Sequence, residues 1–183
     1  MPNDLVLFVG QLLRNPREVS AIVPSSRALA RAMVRGLGPA TGRVVEFGPG
    51  TGRITQAILD QGVAPADLTL YEMNPAFCDS LRARFPDVRV VNVPAQDAAR
   101  ELAGVGAVVS GLPLLSIPPE IQRGIIGAAF AILRPGAPYV QFTYGPQPPV
   151  SPGVSAALNL RFEQGPRIWQ NLPPARVYRY QQG

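Results

Sequence analysis

The chain is 183 residues long, with one cysteine, no histidine, and 17 positive against 12 negative side chains for a net charge of +5. That length suits a single domain with a full core; one thiol excludes an intrachain disulfide; and the lack of any imidazole excludes Ser/His nucleophilic triads and the usual zinc sites, so no metal is expected. Every positive charge is an arginine, which implies an anionic partner, nucleic acid or membrane, unless the missing lysines reflect genome composition.

Residues 1–40 differ in pattern from 41–183. Leu5-Val6-Leu7-Phe8-Val9 with Leu12 and Leu13 forms an apolar stretch of about 11 residues before Arg14, too short for the roughly 20 that span a bilayer but suited to lying on one. No secretory signal pattern is evident, so a cytoplasmic chain is expected. Ser25-Ser26 then precedes a helix in which Arg27, Arg31 and Arg35 recur every four residues on one face, with Leu29, Ala30 and Met33 turned elsewhere. Facing anionic lipid, three such arginines at about 1 kcal/mol each would raise surface affinity on the order of a hundredfold. A solvated face on a helix packed by its apolar side accounts for the same spacing. The candidate membrane-binding set is Leu7, Phe8, Leu12, Leu13, Arg14, Arg17, Arg27, Arg31 and Arg35.

Val44-Val45-Glu46-Phe47-Gly48-Pro49-Gly50-Thr51-Gly52 is an apolar run ending in an acid and alternating glycines, the pattern of a strand turning tightly into a helix. Glycines admit close approach of a ligand to the backbone, and the acid favours a cationic ligand over a pyrophosphate. A dinucleotide fingerprint would need its third glycine at position 53, which is Arg53. S-adenosylmethionine, a sulfonium carrying an ammonium, suits the turn. Leu68-Thr69-Leu70-Tyr71-Glu72 is a second strand ending in an acid about 20 residues on, where a carboxylate accepts from both ribose hydroxyls. Val88 to Val93 is a third, followed by Asp97, placed to accept from an adenine amine.

The helices between these strands are marked by Ile54, Ala57, Ile58 and Val63, by Pro75 with Phe77, Leu81 and Phe85, and by a short turn led by Asp97. Val105 to Ser110 is a fourth strand, a helix carrying Ile121, Ile125, Ile126 and Phe130 follows, and Tyr139 to Tyr144 is a fifth strand. Alternating strands and helices predict an α/β doubly wound, mostly parallel sheet with an N-terminal helical cap. Gly145 to Gly153, with four prolines and two glycines, predicts a loop. The last extended pieces are expected at Ser155 to Phe162 and Arg176 to Tyr180, an antiparallel pair around a turn at Asn171-Leu172-Pro173-Pro174.

Ser110-Gly111-Leu112-Pro113-Leu114-Leu115-Ser116, at the end of the fourth strand, is an uncharged proline-containing turn. N-methyltransferases place at this position the carbonyls that receive the acceptor amine. Together with Ile22-Val23-Pro24-Ser25-Ser26-Arg27-Ala28-Leu29-Ala30, Glu46 to Gly52, Gln141-Phe142-Thr143-Tyr144 and Asn171-Leu172-Pro173-Pro174-Ala175, in order along nearly the whole chain, it resembles the bacterial phospholipid N-methyltransferases. The segment Met1 to Arg14 is shorter and less basic than that family's membrane-binding helix.

The resemblance implies a Rossmann-like class I methyltransferase, peripheral at the inner face of the cytoplasmic membrane. It would convert phosphatidylethanolamine through mono- and dimethyl intermediates toward phosphatidylcholine and release S-adenosylhomocysteine. Glu46 would hold the methionine ammonium, and Gly48, Gly50, Thr51 and Gly52 would line the methionine portion. Glu72 would bind ribose, Met73 would pack on adenine and Asp97 would take its amine, with Ser110 and Ser26 as further cofactor contacts. The Gly111 carbonyl would aim the substrate amine, and Tyr144 would relay its proton or face the growing methylammonium. The fold is also similar to that of the rRNA adenine dimethylases, whose turn reads Asn-Leu-Pro-Tyr. Gly111 and Leu114 stand in place of that Asn and Tyr, which removes the ring that stacks on a flipped adenine, so no nucleic-acid partner is expected. An rRNA adenine or protein N-methyltransferase on the same fold and a non-catalytic membrane-binding module are the other readings open.

Overall fold

The computed structural model describes residues 26–100 and 102–183. Leu7, Phe8, Leu12, Leu13, Arg14 and Arg17 lie outside the described residues. Helix α1 (Arg27–Met33) begins where the Ser26 hydroxyl oxygen accepts from the Leu29 N–H at 3.1 Å, a side-chain cap on a donor that the helix leaves unpaired. Its buried face is Leu29, Ala30 and Met33, and Arg27, Arg31 and Arg35 are exposed as their spacing predicts, Arg35 in the turn after the helix.

Five parallel strands follow: β1 (Val44–Phe47), β2 (Leu68–Tyr71), β3 (Arg89–Val91), β4 (Ala107–Ser110) and β5 (Tyr139–Thr143). Helices α2 (Arg53–Asp60), α3 (Pro75–Arg84) and α4 (Pro119–Ile132) connect them, with a 3₁₀ turn at Ala95–Arg100 between β3 and β4. With β6 (Leu160–Ile168) and β7 (Ala175–Gln182), the seven-stranded sheet has the order β3-β2-β1-β4-β5-β7-β6. The order reverses between β1 and β4, which opens a crevice at the carboxyl ends of those two strands.

Each strand alternates between two cores, because successive side chains leave opposite faces. Val44 packs with Leu29, Met33, Ile58 and Leu81 from α1, α2 and α3. Val45 and Phe47 pack with Ile125, Ile126 and Ala129 of α4. The sheet is thus covered on both sides, which is why its parallel strands are apolar nearly throughout.

The C-terminal pieces depart from the expected boundaries. Ser155 to Phe162 divides into helix α5 (Pro152–Ala157) and the start of β6 (Leu160–Ile168), joined through Asn159 at φ 51°. Pro152 sits in the first turn of α5, where its fixed φ suits a helix and its missing N–H costs nothing, so the loop ends at Ser151. β7 (Ala175–Gln182) pairs antiparallel with both β5 and β6, as expected for the last two strands.

Candidate cofactor and acceptor site

Glu46 stands one residue before the end of β1. By alternation with Val45 and Phe47, it faces the α2 side of the sheet. Its carboxylate is fully buried; Oε2 accepts from the Thr55 hydroxyl on α2 at 2.6 Å, whereas Oε1 has no hydrogen-bond partner among the described residues. Burial pushes the carboxyl up to about 8, the Thr55 bond opposing that shift and the charge of Glu72 adding to it. Buried polar atoms are nearly always paired, so the orphaned oxygen is a candidate contact for a ligand.

Between 4.5 and about 8 the folded protein holds a proton on Glu46 that the unfolded chain has released. The group's stabilising contribution is therefore full below that window and falls as pH rises through it. A bound cation reverses the preference and ionises the carboxyl. At pH 7, cofactor binding to the wild type should expel about one proton more than binding to Glu46→Gln. Titration calorimetry in two buffers of different ionisation enthalpy measures the difference, and equal proton counts would remove Glu46 from the ammonium site.

Among the glycines of the turn, Gly50 has φ +54° and open space where a side chain would stand, and its N–H donates to Glu72 Oε2 at 3.1 Å. It offers backbone to a ligand. The side-chain positions of Gly48 and Gly52 are instead taken up by packing. A Cβ at Gly48 would lie 2.6 Å from Leu112 Cδ2, and one at Gly52 would lie 2.7 Å from Phe85 Cε2. Gly52 serves the seating of α3 against the turn, a role distinct from the cofactor contact expected for it. Thr51 is exposed, and its carbonyl takes the Arg84 guanidinium at 3.1 Å.

Glu72 follows β2 and is almost fully buried. Its Oε1 accepts from the Asn74 N–H at 2.8 Å while Oε2 takes Gly50, so one carboxylate ties the ends of β1 and β2 together. Each oxygen keeps a lone pair for a diol. The Glu72 carbonyl is held from below by the Asn92 amide at 2.8 Å and the Cys78 thiol at 3.3 Å, which accounts for the lone cysteine as a packed group. Met73 is half-buried beside it. Asp97, past the end of β3, is partly exposed and ion-paired with Arg100 at 3.4 Å. The three acids thus stand at the ends of three adjacent strands.

Across the switch point, Ser110 is buried at the end of β4 and its hydroxyl oxygen accepts from the Leu112 N–H at 3.4 Å. Gly111 donates to the Phe47 carbonyl at 2.8 Å, and a Cβ on it would lie 2.6 Å from the Gly48 carbonyl oxygen. The turn after β4 therefore rests on the turn after β1 with room for a hydrogen only. The carbonyl of Leu112 receives the Gln141 amide at 2.8 Å, that of Pro113 the Ser116 N–H, and that of Leu114 the Gln122 amide at 2.7 Å. No hydrogen bond within the described residues takes the Gly111 carbonyl. Gln141 is oriented in turn by the Tyr139 hydroxyl, which donates to its Oε1 at 2.8 Å.

Tyr144 follows β5, next to this turn, half-buried with its ring edge-on to Phe142. Burial pushes its hydroxyl up, with Asn171 opposing the shift, so at neutral pH the phenol stays protonated and acts as a hydrogen-bonding group, not as a phenolate base. Asn171 also accepts the Ser26 N–H at 2.8 Å. Ser26, Tyr144 and Asn171 converge at this end of the sheet, and the Ser26 hydroxyl, used as acceptor in the α1 cap, keeps its proton to donate.

Thr55, Gln122, Gln141 and Asn171 are site-building residues to which the sequence assigned no role. Gln141 and Asn171 fall inside the blocks quoted for the family resemblance. A glutamine buried in the middle of an apolar strand was the only signal for Gln141's role.

No protein-family model matches the chain. It is 33% identical over 189 residues to the ornithine lipid N-methyltransferase of Singulisphaera acidiphila, an alignment that covers 96% of this chain and 94% of that protein. Among solved structures it is similar to the Burkholderia thailandensis 1,6-didemethyltoxoflavin-N1-methyltransferase with bound S-adenosylhomocysteine, at TM-score 0.72 and 16% identity over 100% of this chain and 91% of that one. It is also similar to the glycopeptide N-methyltransferase MtfA complexed with S-adenosyl-L-methionine, at TM-score 0.67 and 15% identity over 88% of this chain and 96% of that one. Both likenesses, with the strand order above, show the Rossmann-like class I methyltransferase fold.

Proposed function

We infer that this chain, which belongs to the family of the Singulisphaera acidiphila ornithine lipid N-methyltransferase, methylates the primary amine of a membrane lipid with S-adenosylmethionine as donor. The observation that carries the reading is the contact of Gly111 with Gly48, which sets an uncharged acceptor turn directly on a turn built for a cation. The lipid proposed is phosphatidylethanolamine, methylated through the mono- and dimethyl forms toward phosphatidylcholine, as the sequence blocks imply. Ornithine lipid, named for the relative, is the second reading.

The orphaned Glu46 oxygen, the open backbone at Gly50 and the diol-ready carboxylate of Glu72 fit the cofactor. When bound, it supplies a methyl group activated by a sulfonium. Glu46 would hold its ammonium, Ser26 its carboxylate, Glu72 its ribose, Met73 the adenine face and Asp97 the adenine amine. The Gly111 carbonyl would receive one N–H of the acceptor and so aim the nitrogen lone pair. Positioning of this kind is worth about 7 to 11 kcal/mol without any covalent intermediate.

The acceptor must be neutral to react. No charged side chain lies between Ser110 and Ser116, so a bound ammonium is desolvated there without a counter-ion and its pKa falls. The protonated Tyr144 phenol would pass the released proton to solvent along its hydroxyl, and its ring would face the methylated product. A nucleic-acid base finds no stacking partner in this turn, because Leu114 is buried and its carbonyl is held by Gln122.

Incubation with labelled S-adenosylmethionine and vesicles holding either phosphatidylethanolamine or ornithine lipid, followed by lipid separation, tests the assignment. Labelled mono-, di- and trimethylated phosphatidylethanolamine is expected. Label in ornithine lipid alone would move the substrate to the second reading. No labelled lipid despite measurable cofactor binding would overturn both.

A further inference from the structure

The described residues leave four large apolar side chains well exposed: Leu115 at 56%, Phe162 at 45%, Trp169 at 71% and Leu172 at 81%. Strand pairing sorts them between the two ends of the sheet. Thr143, the last residue of β5, is opposite Arg176, and Ile168, the last of β6, is opposite Ala175. The turn from Trp169 to Pro174 therefore lies at the carboxyl end of β5, the end that carries the site. Leu115 follows β4 at the same end, its side chain against Gly145, where a Cβ would be 3.0 Å from Leu115 Cδ1. Phe162 is opposite Tyr180, which is opposite Tyr139 at the start of β5, so it belongs to the far end.

The charged side chains beside Trp169 and Asn171 are basic. The Arg167 guanidinium lies 4.9 Å from the Trp169 ring centre, Arg167 and Arg176 are cross-strand neighbours, and Arg27 starts α1 beside Asn171, which bonds the Ser26 N–H. Neither the stretch from Gln164 to the last residue nor that from Gly111 to Pro119 contains an acid. The remainder of the arginine stripe leads away. Arg179, paired with Val140 near the start of β5, donates to the Arg35 carbonyl at 2.6 Å, so Arg35 sits past the far end of α1, which rises about 9 Å from Arg27 to Met33.

Resting on the lipid reading above, we propose that the site end of the sheet is the docking face for an anionic bilayer, with Trp169, Leu172 and Leu115 entering the lipid. Arg167, Arg176 and Arg27 stand at headgroup level. A tryptophan flanked by arginine suits the interfacial layer, where an apolar ring and a polar edge both find partners. A lipid amine in the surface then meets the Gly111 turn without the lipid leaving the bilayer. This assigns membrane contact to the sheet end and leaves Arg31 and Arg35 in solvent.

Trp169 is the only tryptophan in the chain, so its emission reports this face alone. Added vesicles of phosphatidylethanolamine and phosphatidylglycerol should shift its emission to the blue, and acyl-chain-brominated lipids should quench it. Leu172→Ser should weaken vesicle partitioning about tenfold while its S-adenosylmethionine affinity shows that the fold is intact. Arg31→Gln with Arg35→Gln should partition like the wild type. Vesicle binding with unshifted, unquenched emission, or wild-type partitioning by Leu172→Ser, would overturn the proposal. These readouts need no turnover, so they succeed or fail independently of the lipid methylation assay.

Discussion

Glu72→Ala should raise the dissociation constant for S-adenosylmethionine by two orders of magnitude or more, measured by titration calorimetry. On the function proposed above the carboxylate would accept from both ribose hydroxyls, and hydrogen bonds to a charged group contribute about 1.5–3 kcal/mol each, so the loss of two is on the order of a hundredfold or greater. The same substitution removes the acceptor of the part-buried Gly50 and Asn74 N–H groups, at about 0.5–1.5 kcal/mol for each hydrogen bond lost. Thermal unfolding should therefore move down together with affinity. Glu72→Gln should recover little. It has the same shape but a single acceptor oxygen, and its amide NH₂ would face one of the two N–H donors. Affinity within threefold of wild type in either variant would remove Glu72 from the cofactor site.

Gly111→Ala should lower kcat/KM by about a hundredfold or more, since misplacement by about 1 Å near the chemistry costs that much. The new Cβ would lie 2.6 Å from the Gly48 carbonyl oxygen, a backbone atom that no rotamer change can move aside. Either the acceptor turn or the cofactor turn must give way, and overpacking of this kind costs about 1–3 kcal/mol of stability. Gly127→Ala in α4 is the control. A Cβ there meets nothing within 4 Å, and the change should be neutral or stabilising by up to about 1 kcal/mol. A Gly111→Ala enzyme with wild-type turnover would mean that the amine is received elsewhere.

The two variants differ in what they read. Glu72 acts on the cofactor side of the switch point, so its loss should appear in binding. Gly111 joins the two sides through a hydrogen bond to the Phe47 carbonyl and its contact with Gly48, so its loss should appear in turnover at saturating cofactor as well.

The sequence alone determined the parts whose information is local. Strand identity was legible because β1, β2 and β4 are short apolar runs, and the acids closing β1 and β2, with Asp97 following β3, stood out against them. The glycine turn excluded a dinucleotide by a single position, Arg53. The start of α1 was legible because a capping serine acts on a donor three residues away, and Pro75 marked the start of α3 for the same kind of reason. Where two local signals competed, at Pro152 to Phe162, the proline won and a helix formed where an extended piece was expected.

Only the tertiary structure decided what depends on residues far apart in the chain. Glu46 reads as one acid among several until burial, Thr55 and an unpaired oxygen distinguish it. Gln141 and Gln122 hold the carbonyls of Leu112 and Leu114 from 29 and 8 residues away, partners that no local pattern names. Gly111 needs to be glycine because of Gly48, 63 positions earlier, and the fold alone brings them within contact. The arginine stripe was visible as a helical repeat, yet its direction relative to the site follows from Asn171 at one end of α1 and Arg179 at the other. Exposure is likewise a property of the whole surface: Leu114 and Leu115 are neighbours of equal hydrophobicity, one buried and one in solvent at the mouth of the site, because only packing against the sheet assigns an apolar side chain to the core or to a partner.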